Sequence, residues 1–270
     1  MADRDAAFVG SIPEHYDRYL GPILFHRYAD DLAGRLAVKP GMRVLETACG
    51  TGILTERLVA RLRGQGTLVA TDLNEPMLAH ARSKLGDPAK LEWRRADATA
   101  LPFDDASFDA VVCQLGLMFY QDKAAGVRQA LRVLKPGGRY LFNVWDALEH
   151  NAVARIAHET AASFFSSDPP RFYTVPFSLH DPTRVGAWLT EAGFEDIEVT
   201  PLAKSGTSPS AADAATGLVH GNPLYLEIME RRPEALAEIT AALARSLAAH
   251  LGDRPVRCAL RAFVFSARKP

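Results

Sequence analysis

Val44-Leu45-Glu46-Thr47-Ala48-Cys49-Gly50-Thr51-Gly52 is the stretch on which the fold of this chain turns. Val44 to Thr47 is a short apolar run with an acidic residue near its tip, and it predicts a buried strand. Small residues follow, and a helical stripe of Ile53, Leu54, Leu58, Val59 and Leu62 opens directly behind them. A loop of Ala, Cys, Gly, Thr and Gly lets the backbone approach a ligand closely and accepts φ values that a bulky residue resists. Strand, side-chain-poor bend and helix in this order predict a cofactor cradle.

Twenty residues after Gly52, the β-rich run Thr67-Leu68-Val69-Ala70-Thr71 ends in Asp72. In nucleotide-binding α/β sheets an acidic residue at the end of the second strand accepts hydrogen bonds from ribose hydroxyls. The ligand therefore contains a nucleoside in this reading. A dinucleotide fits poorly, because G-x-G-x-x-G needs Gly at 48, 50 and 53 or at 50, 52 and 55, and the chain has Ala48 and Ile53, or Thr55. An NAD(P)-dependent oxidoreductase is the lesser alternative.

Working outward, Met77, Leu78, Ala81 and Leu85 form a second helical stripe. Alternation of strands and helices predicts an α/β fold: a parallel sheet covered on both faces, with ligands beyond the carboxyl ends of its strands. Upstream, Leu24, Tyr28, Leu32 and Leu36 mark an amphipathic helix that Lys39-Pro40-Gly41 stops. Downstream come a helix through Ala152 to Ala161, an irregular aromatic stretch from Phe164 to Phe177, and a helix near Thr183 to Ala192. Strand character resumes at Phe194 to Val199. Ser205 to Gly221 is small and polar, which predicts loop and short helix, and Pro233 opens a longer helix that ends at Gly252. Arg257 to Ala267 alternates and predicts a last strand.

The loop resembles that of the class I S-adenosylmethionine-dependent methyltransferases, acidic-x-Gly-x-Gly-x-Gly, written here Glu46-x-Ala48-x-Gly50-x-Gly52. Ala48 replaces the usual first glycine, adding one methyl group without removing a donor. Three further stretches fall in the family's order: Arg95-Ala96-Asp97-Ala98 with Leu101-Pro102-Phe103, then Ser107 to Gln114, then Leu131 to Arg139. The resemblance spans residues 43 to 145, is similar in kind to the small-molecule methyltransferases of quinone biosynthesis, and beyond that span is one of layout.

The resemblance implies a Rossmann-like sheet closed by a C-terminal antiparallel strand pair, with S-adenosylmethionine as cofactor and S-adenosylhomocysteine as product. It implies that Glu46 meets the methionine amino group or fixes the loop, while Ala48, Gly50 and Gly52 give backbone access. Asp72 takes the ribose hydroxyls, Leu73 and Met77 flank the adenine, Asp97 and Ala98 read its edge, and Gln114 offers its backbone near the sulfonium. Tyr16, in an N-terminal segment that folds over the cofactor in this family, meets its carboxylate or packs in the core. One domain is expected over 1–270: a helical lid at 8–37, a cofactor-binding core at 38–146, and helical insertions at 147–182 and 202–252 that form the acceptor pocket.

The formal net charge of −1 argues against a nucleic-acid partner, because phosphate neutralisation demands a concentrated basic surface. No apolar run is long enough for a membrane span. Cys49, Cys113 and Cys258 lie far apart without metal-ligand spacing, so no metal is expected. The start at residues 1–5 lacks the basic and apolar pattern of a signal peptide, and with the free cysteines this points to a reducing cytoplasm.

Orientation supplies much of the rate in a methyl transfer, so no elaborate triad is required. A hydroxyl or activated-carbon acceptor would need a base; His150 is the candidate beside the fifth strand, with His15, His180 and His220 as others. Phe119 and Tyr120, with Met118, line the pocket or pack the core. No Asn-Pro-Pro-Tyr run follows the fourth strand and no Pro-Cys dipeptide occurs, which sets aside amino-group methylases of adenine or glutamine and cytosine C5 methylases. The expected reaction is methyl transfer to an oxygen, nitrogen or carbon of a small, partly apolar metabolite. The rival is a module that binds the cofactor without turnover.

Overall fold

The computed structural model describes residues 6–270; the reading of residues 1–5 lies outside them. A seven-stranded sheet in the order β3-β2-β1-β4-β5-β7-β6 forms the centre. β1 (Arg43–Thr47), β2 (Thr67–Asp72), β3 (Leu91–Arg95), β4 (Phe108–Gln114) and β5 (Leu134–Trp145) run parallel. β7 (Val256–Arg268) runs antiparallel to β5 and to β6 (Glu195–Ser208), so the sheet closes with the expected antiparallel pair. The central strands are buried almost without interruption because helices cover them on both faces.

At the amino end, α1 (Ile12–His15), a π-helical stretch (Tyr16–Phe25) and α2 (His26–Arg35) follow end to end. The His26 N–H reaches back five residues to the Gly21 carbonyl. This widened turn, with Pro22 inside it, is not visible in a 3.6-residue apolar period, and π-helical turns concentrate at functional sites. The helix ends at Arg35, four residues before the Lys39-Pro40-Gly41 stop.

Crossovers over the parallel strands are α3 (Ile53–Leu62), α4 (Glu75–Leu85) and α5 (Lys123–Val133). Beyond β5 come α6 (Ala152–Ala162), α7 (Pro182–Ala192), α8 (Ala211–His220), α9 (Leu224–Arg231) and α10 (Leu236–Leu251). α8 packs on the π-helical stretch and on α10, and α10 packs on α6, giving a helical layer over the strands' carboxyl ends.

One expectation is corrected here. Residues 202–208 belong to β6, paired with β7 through Ser208↔Val256, so the second helical insertion starts only after the strand. Their small size has a packing cause: a Cβ on Gly206 would collide with the Ile23 carbonyl, since the π-helical stretch lies directly on this strand. β6 is also the sheet's edge, where Pro201 and exposed polar residues are tolerated.

Candidate active site

β1 delivers the chain into a bend in which Ala48, Gly50 and Gly52 all have positive φ, at 53°, 56° and 77°. Two backbone bonds fix it: Cys49 N–H to the Thr71 carbonyl at 2.9 Å, and Gly52 N–H to the Cys49 carbonyl at 3.0 Å. The Asp72 carboxylate joins this bend to the turn after β2. Its Oδ2 accepts from the Gly50 N–H and its Oδ1 from the Asn74 N–H, both at 2.8 Å. Burial raises the Asp72 pKa, and these N–H donors counter the rise.

Glu46 is 1% exposed, and its Oε2 has no hydrogen-bond partner among the described residues. Burial, with the Asp72 charge adding to it, pushes the Glu46 carboxyl up to about 8. Gln114 donates from Nε2 to the Phe25 carbonyl at 3.0 Å, leaving a buried, unpartnered Oε1. A recess of about 310 Å³ off the bend is lined by both Glu46 and Gln114, together with Tyr16. Two orphaned acceptors at one recess fit a ligand that brings several N–H donors, such as an amino-acid ammonium.

A larger polar cavity of about 860 Å³, mouth included, lies beyond the carboxyl ends of β1, β2 and β4. One wall is Ala48, Gly50, Asp72, Leu73 and Met77; Asp97 and Ala98 form the far side. Leu73 is 44% exposed, an apolar side chain left at the mouth. Asp97 Oδ1 accepts from the Thr99 N–H at 2.8 Å and its hydroxyl at 2.7 Å. Gln114, Leu115, Phe119 and Tyr120 make the opposite wall, and Phe8 and Tyr16 lie over it. The structure thus gathers nine of the residues singled out for the cofactor around one cavity, places Glu46 in the adjoining recess, and leaves Gly52 behind the bend. A Cβ on Gly52 would press on Ala81 and Leu85 of α4 at 3.1 Å.

A second cavity of about 570 Å³ adjoins the first and shares Phe8, Tyr16, Leu115 and Phe119 with it. Leu20, Leu24 and Phe25 enclose it from the N-terminal segment, Trp145 and Leu260 from the sheet, and Phe172, Tyr173 and Phe177 from the segment after α6. Among the described residues, none in the lining is charged. Of its polar members, Asn151, Asn222 and Tyr173 are tied into the protein, while Tyr16 and Trp145 bring a hydroxyl and an indole N–H to the lining. Asn151 Nδ2 donates to three carbonyls while its Oδ1 accepts from the Arg261 N–H. Asn222 donates to the Tyr173 hydroxyl and to the Leu218 carbonyl, and the Tyr173 hydroxyl donates to the same carbonyl at 2.8 Å.

Several expected residues stand elsewhere. His150 lines neither cavity: Nδ1 lies 3.0 Å from Asp146 Oδ2, on a carboxylate that Arg261 also meets at 3.2 Å, and its side chain is 46% exposed. The Asp146-His150 spacing turns the ring outward, and the next residue, Asn151, enters the cavity instead. His15 stacks on His220, and His180 bonds the Phe177 carbonyl, so none of the three lines either cavity. Tyr120 faces the polar cavity and donates to Thr47 Oγ1 at 2.9 Å; Phe119 faces both, and Met118 is core. Burial raises the Cys49 and Cys113 thiols, which removes thiolate chemistry at neutral pH. Phe8 and Leu115 were not foreseen. No group of three or more side chains able to hold a metal occurs among the described residues, and none of their helices is long and apolar enough to cross a membrane.

Residues 44–138 match the family described as a methyltransferase domain. The chain belongs to the S-adenosylmethionine-dependent methyltransferases of class I. Among individual proteins, it is 33% identical over 191 residues to the ubiquinone/menaquinone biosynthesis C-methyltransferase UbiE of Idiomarina loihiensis, covering 65% of this chain and 74% of that one. An Escherichia coli O139:H28 UbiE is 34% identical over 192 residues with the same coverage. Solved structures of like fold include Haemonchus contortus phosphoethanolamine N-methyltransferase 2 with S-adenosyl-L-methionine, at TM-score 0.63 and 18% identity, covering 98% of this chain and 59% of that one. The [4+2]-cyclase SpnF is another, at TM-score 0.56 and 22% identity over 91% and 82% of the two chains. Fold alone therefore leaves the chemistry open, and the sequence relatives carry the assignment.

Proposed function

We propose that the polar cavity holds S-adenosylmethionine and that the aromatic cavity beside it holds a small, uncharged, largely apolar methyl acceptor. The observation that supports this reading most is the shared wall of Phe8, Tyr16, Leu115 and Phe119, which sets two unlike cavities edge to edge above β4. The cofactor supplies a methyl group already electrophilic on its sulfonium. Glu46 and Gln114 would meet its ammonium group, the Gly50 bend its backbone-facing side, Asp72 its ribose, and Leu73, Met77, Asp97 and Ala98 its adenine.

The aromatic cavity would hold the acceptor mainly by shape and dispersion, because Asn151, Asn222 and Tyr173 are already bonded within the protein. A charged acceptor buried there would lose its hydration without gaining a counter-charge. With no Asp, Glu, His or Lys among the described lining residues, the protein would contribute alignment, and the acceptor's proton would pass to water at the cavity mouth. Residues 8–37 then act as a lid, 38–146 as the cofactor core, and 147–182 and 209–252 as the acceptor side, in a protein that works in the cytoplasm without nucleic acid.

Calorimetry with S-adenosylhomocysteine tests the reading. Micromolar-range binding is expected. Asp72→Ala removes the carboxylate that would accept from the ribose hydroxyls and unfastens the bend at Gly50 and Asn74; one lost hydrogen bond to a charged acceptor, roughly 1.5–3 kcal/mol, weakens binding at least tenfold. Wild-type protein without affinity for S-adenosylhomocysteine overturns the assignment.

A further inference from the structure

Leu115 adopts φ +51°, the left-handed region that bulky side chains avoid. It is buried, it follows β4 directly, and it is part of the wall common to both cavities. Several contacts hold it there. Its N–H bonds both the Asn143 carbonyl at 3.2 Å and Asn143 Oδ1 at 2.9 Å. The next residue, Gly116, has no room for a side chain beside the Ala48 methyl, and the residue before, Gln114, is tied to Phe25. Unfavourable backbone geometry fixed by so many partners marks a position where side-chain placement matters.

The other three members of the wall are aromatic rings resting on one another. Phe8 packs edge-on against Tyr16 at 5.8 Å and against Phe119 at 5.6 Å, and Phe119 stacks on Phe172 at 6.4 Å. Phe8 and Tyr16 come from the N-terminal segment. Leu115, joined to the sheet through Asn143, is the aliphatic and fixed member of the wall that the two cavities share.

We propose that Leu115 is a size filter for the transferred group, restricting the sulfonium substituent to methyl. This rests on the two-cavity reading above. A group passing from one cavity to the other crosses the shared wall, so a longer alkyl chain on sulfur meets the Leu115 side chain before it meets the acceptor.

The test is calorimetry of S-adenosyl-L-methionine, S-adenosyl-L-ethionine and the S-propyl analogue on the same protein, so that any general loss of affinity cancels in the ratio. Wild type should bind the methyl sulfonium at least tenfold more tightly than the ethyl, with a further fall for propyl. Leu115→Ala should bring the methyl-to-ethyl ratio within about threefold, and so should Leu115→Gly, which also relieves the backbone. Equal binding of methyl and ethyl by wild type overturns the filter, as does an unchanged ratio in the folded variants. Should wild type bind none of the three nor S-adenosylhomocysteine, the two-cavity reading falls and the filter with it.

Discussion

A Cβ placed on Gly116 would lie 2.5 Å from the Cβ of Ala48, and 2.9 Å from Cys113 Sγ. The methyl that distinguishes this loop from the usual three-glycine pattern thus occupies space that a glycine across the site leaves open. Gly116→Ala should destabilise the protein by about 1–3 kcal/mol, the range for overpacking a fitted interior. Ala48→Gly added to it removes one of the two collisions and relieves a left-handed alanine. Denaturant unfolding should show the double variant recovering part of the loss; a double variant no more stable than Gly116→Ala alone refutes the pairing.

The strand-loop-helix at Glu46 to Gly52, Asp72 at the end of β2 and Asp97 in the loop after β3 were legible because small residues and aspartates at or just past strand ends carry local meaning. The aromatic cavity was not, since Phe8, Trp145, Phe172 and Leu260 converge from segments far apart in the chain. β6 was misread at Ser205 to Ser208 because Gly206 answers to the Ile23 carbonyl, a contact across the fold rather than a local turn preference. His150 was chosen by proximity to β5, and the Asp146 carboxylate holds it outside the cavity. A helical period likewise could not reveal the π-helical turn that places Tyr16 over both cavities.

Glu46 makes stability depend on pH. Its carboxyl lies at about 8 when folded against 4.5 ordinarily, so the folded state retains a proton that the unfolded chain has released. Stability is therefore greatest, as far as this group acts, below pH 4.5; it falls as pH rises through 8 and then levels. Asp72, also raised, adds in the same direction at the acidic end. Glu46→Gln should flatten the thermal-unfolding profile between pH 5 and pH 8, gaining on wild type as pH rises. S-adenosylhomocysteine binding at pH 7 should release close to one proton in wild type, as its ammonium ionises Glu46, and none in the variant. Calorimetry in buffers of different ionisation enthalpy reads this directly, and equal proton release by both proteins contradicts the placement.

Asp17 fastens the N-terminal segment to the site. Its Oδ1 accepts from Thr51 in the glycine bend at 2.8 Å and from Lys84 of α4 at 2.6 Å, while His80 lies 3.7 Å from Oδ2. The carboxylate is 22% exposed, and solvent access keeps the net contribution of these contacts to about 1 kcal/mol, the upper end for a surface pair. Asp17→Asn should speed S-adenosylhomocysteine release about fivefold in stopped-flow displacement and lower the unfolding temperature only slightly. An unchanged release rate would show that the segment opens without breaking this contact.

The aromatic cavity predicts a charge preference that needs no knowledge of the natural acceptor. Flat naphthalene probes match the ring-rich lining, and Trp145 in its wall reports their entry by fluorescence. With S-adenosylhomocysteine saturating, 2-naphthol should bind, whereas 2-naphthoate and 2-naphthylmethylammonium should bind at least tenfold more weakly. Cation–π attraction, about 0.5–2 kcal/mol, recovers too little of an ammonium ion's lost hydration to reverse the order. Trp145→Phe should abolish the quenching but not the calorimetric signal, which separates this cavity from sites near Trp93 or Trp188. Comparable binding of the anion would mean that a cation enters the cavity from the N-terminal segment, and the uncharged-acceptor reading would then give way.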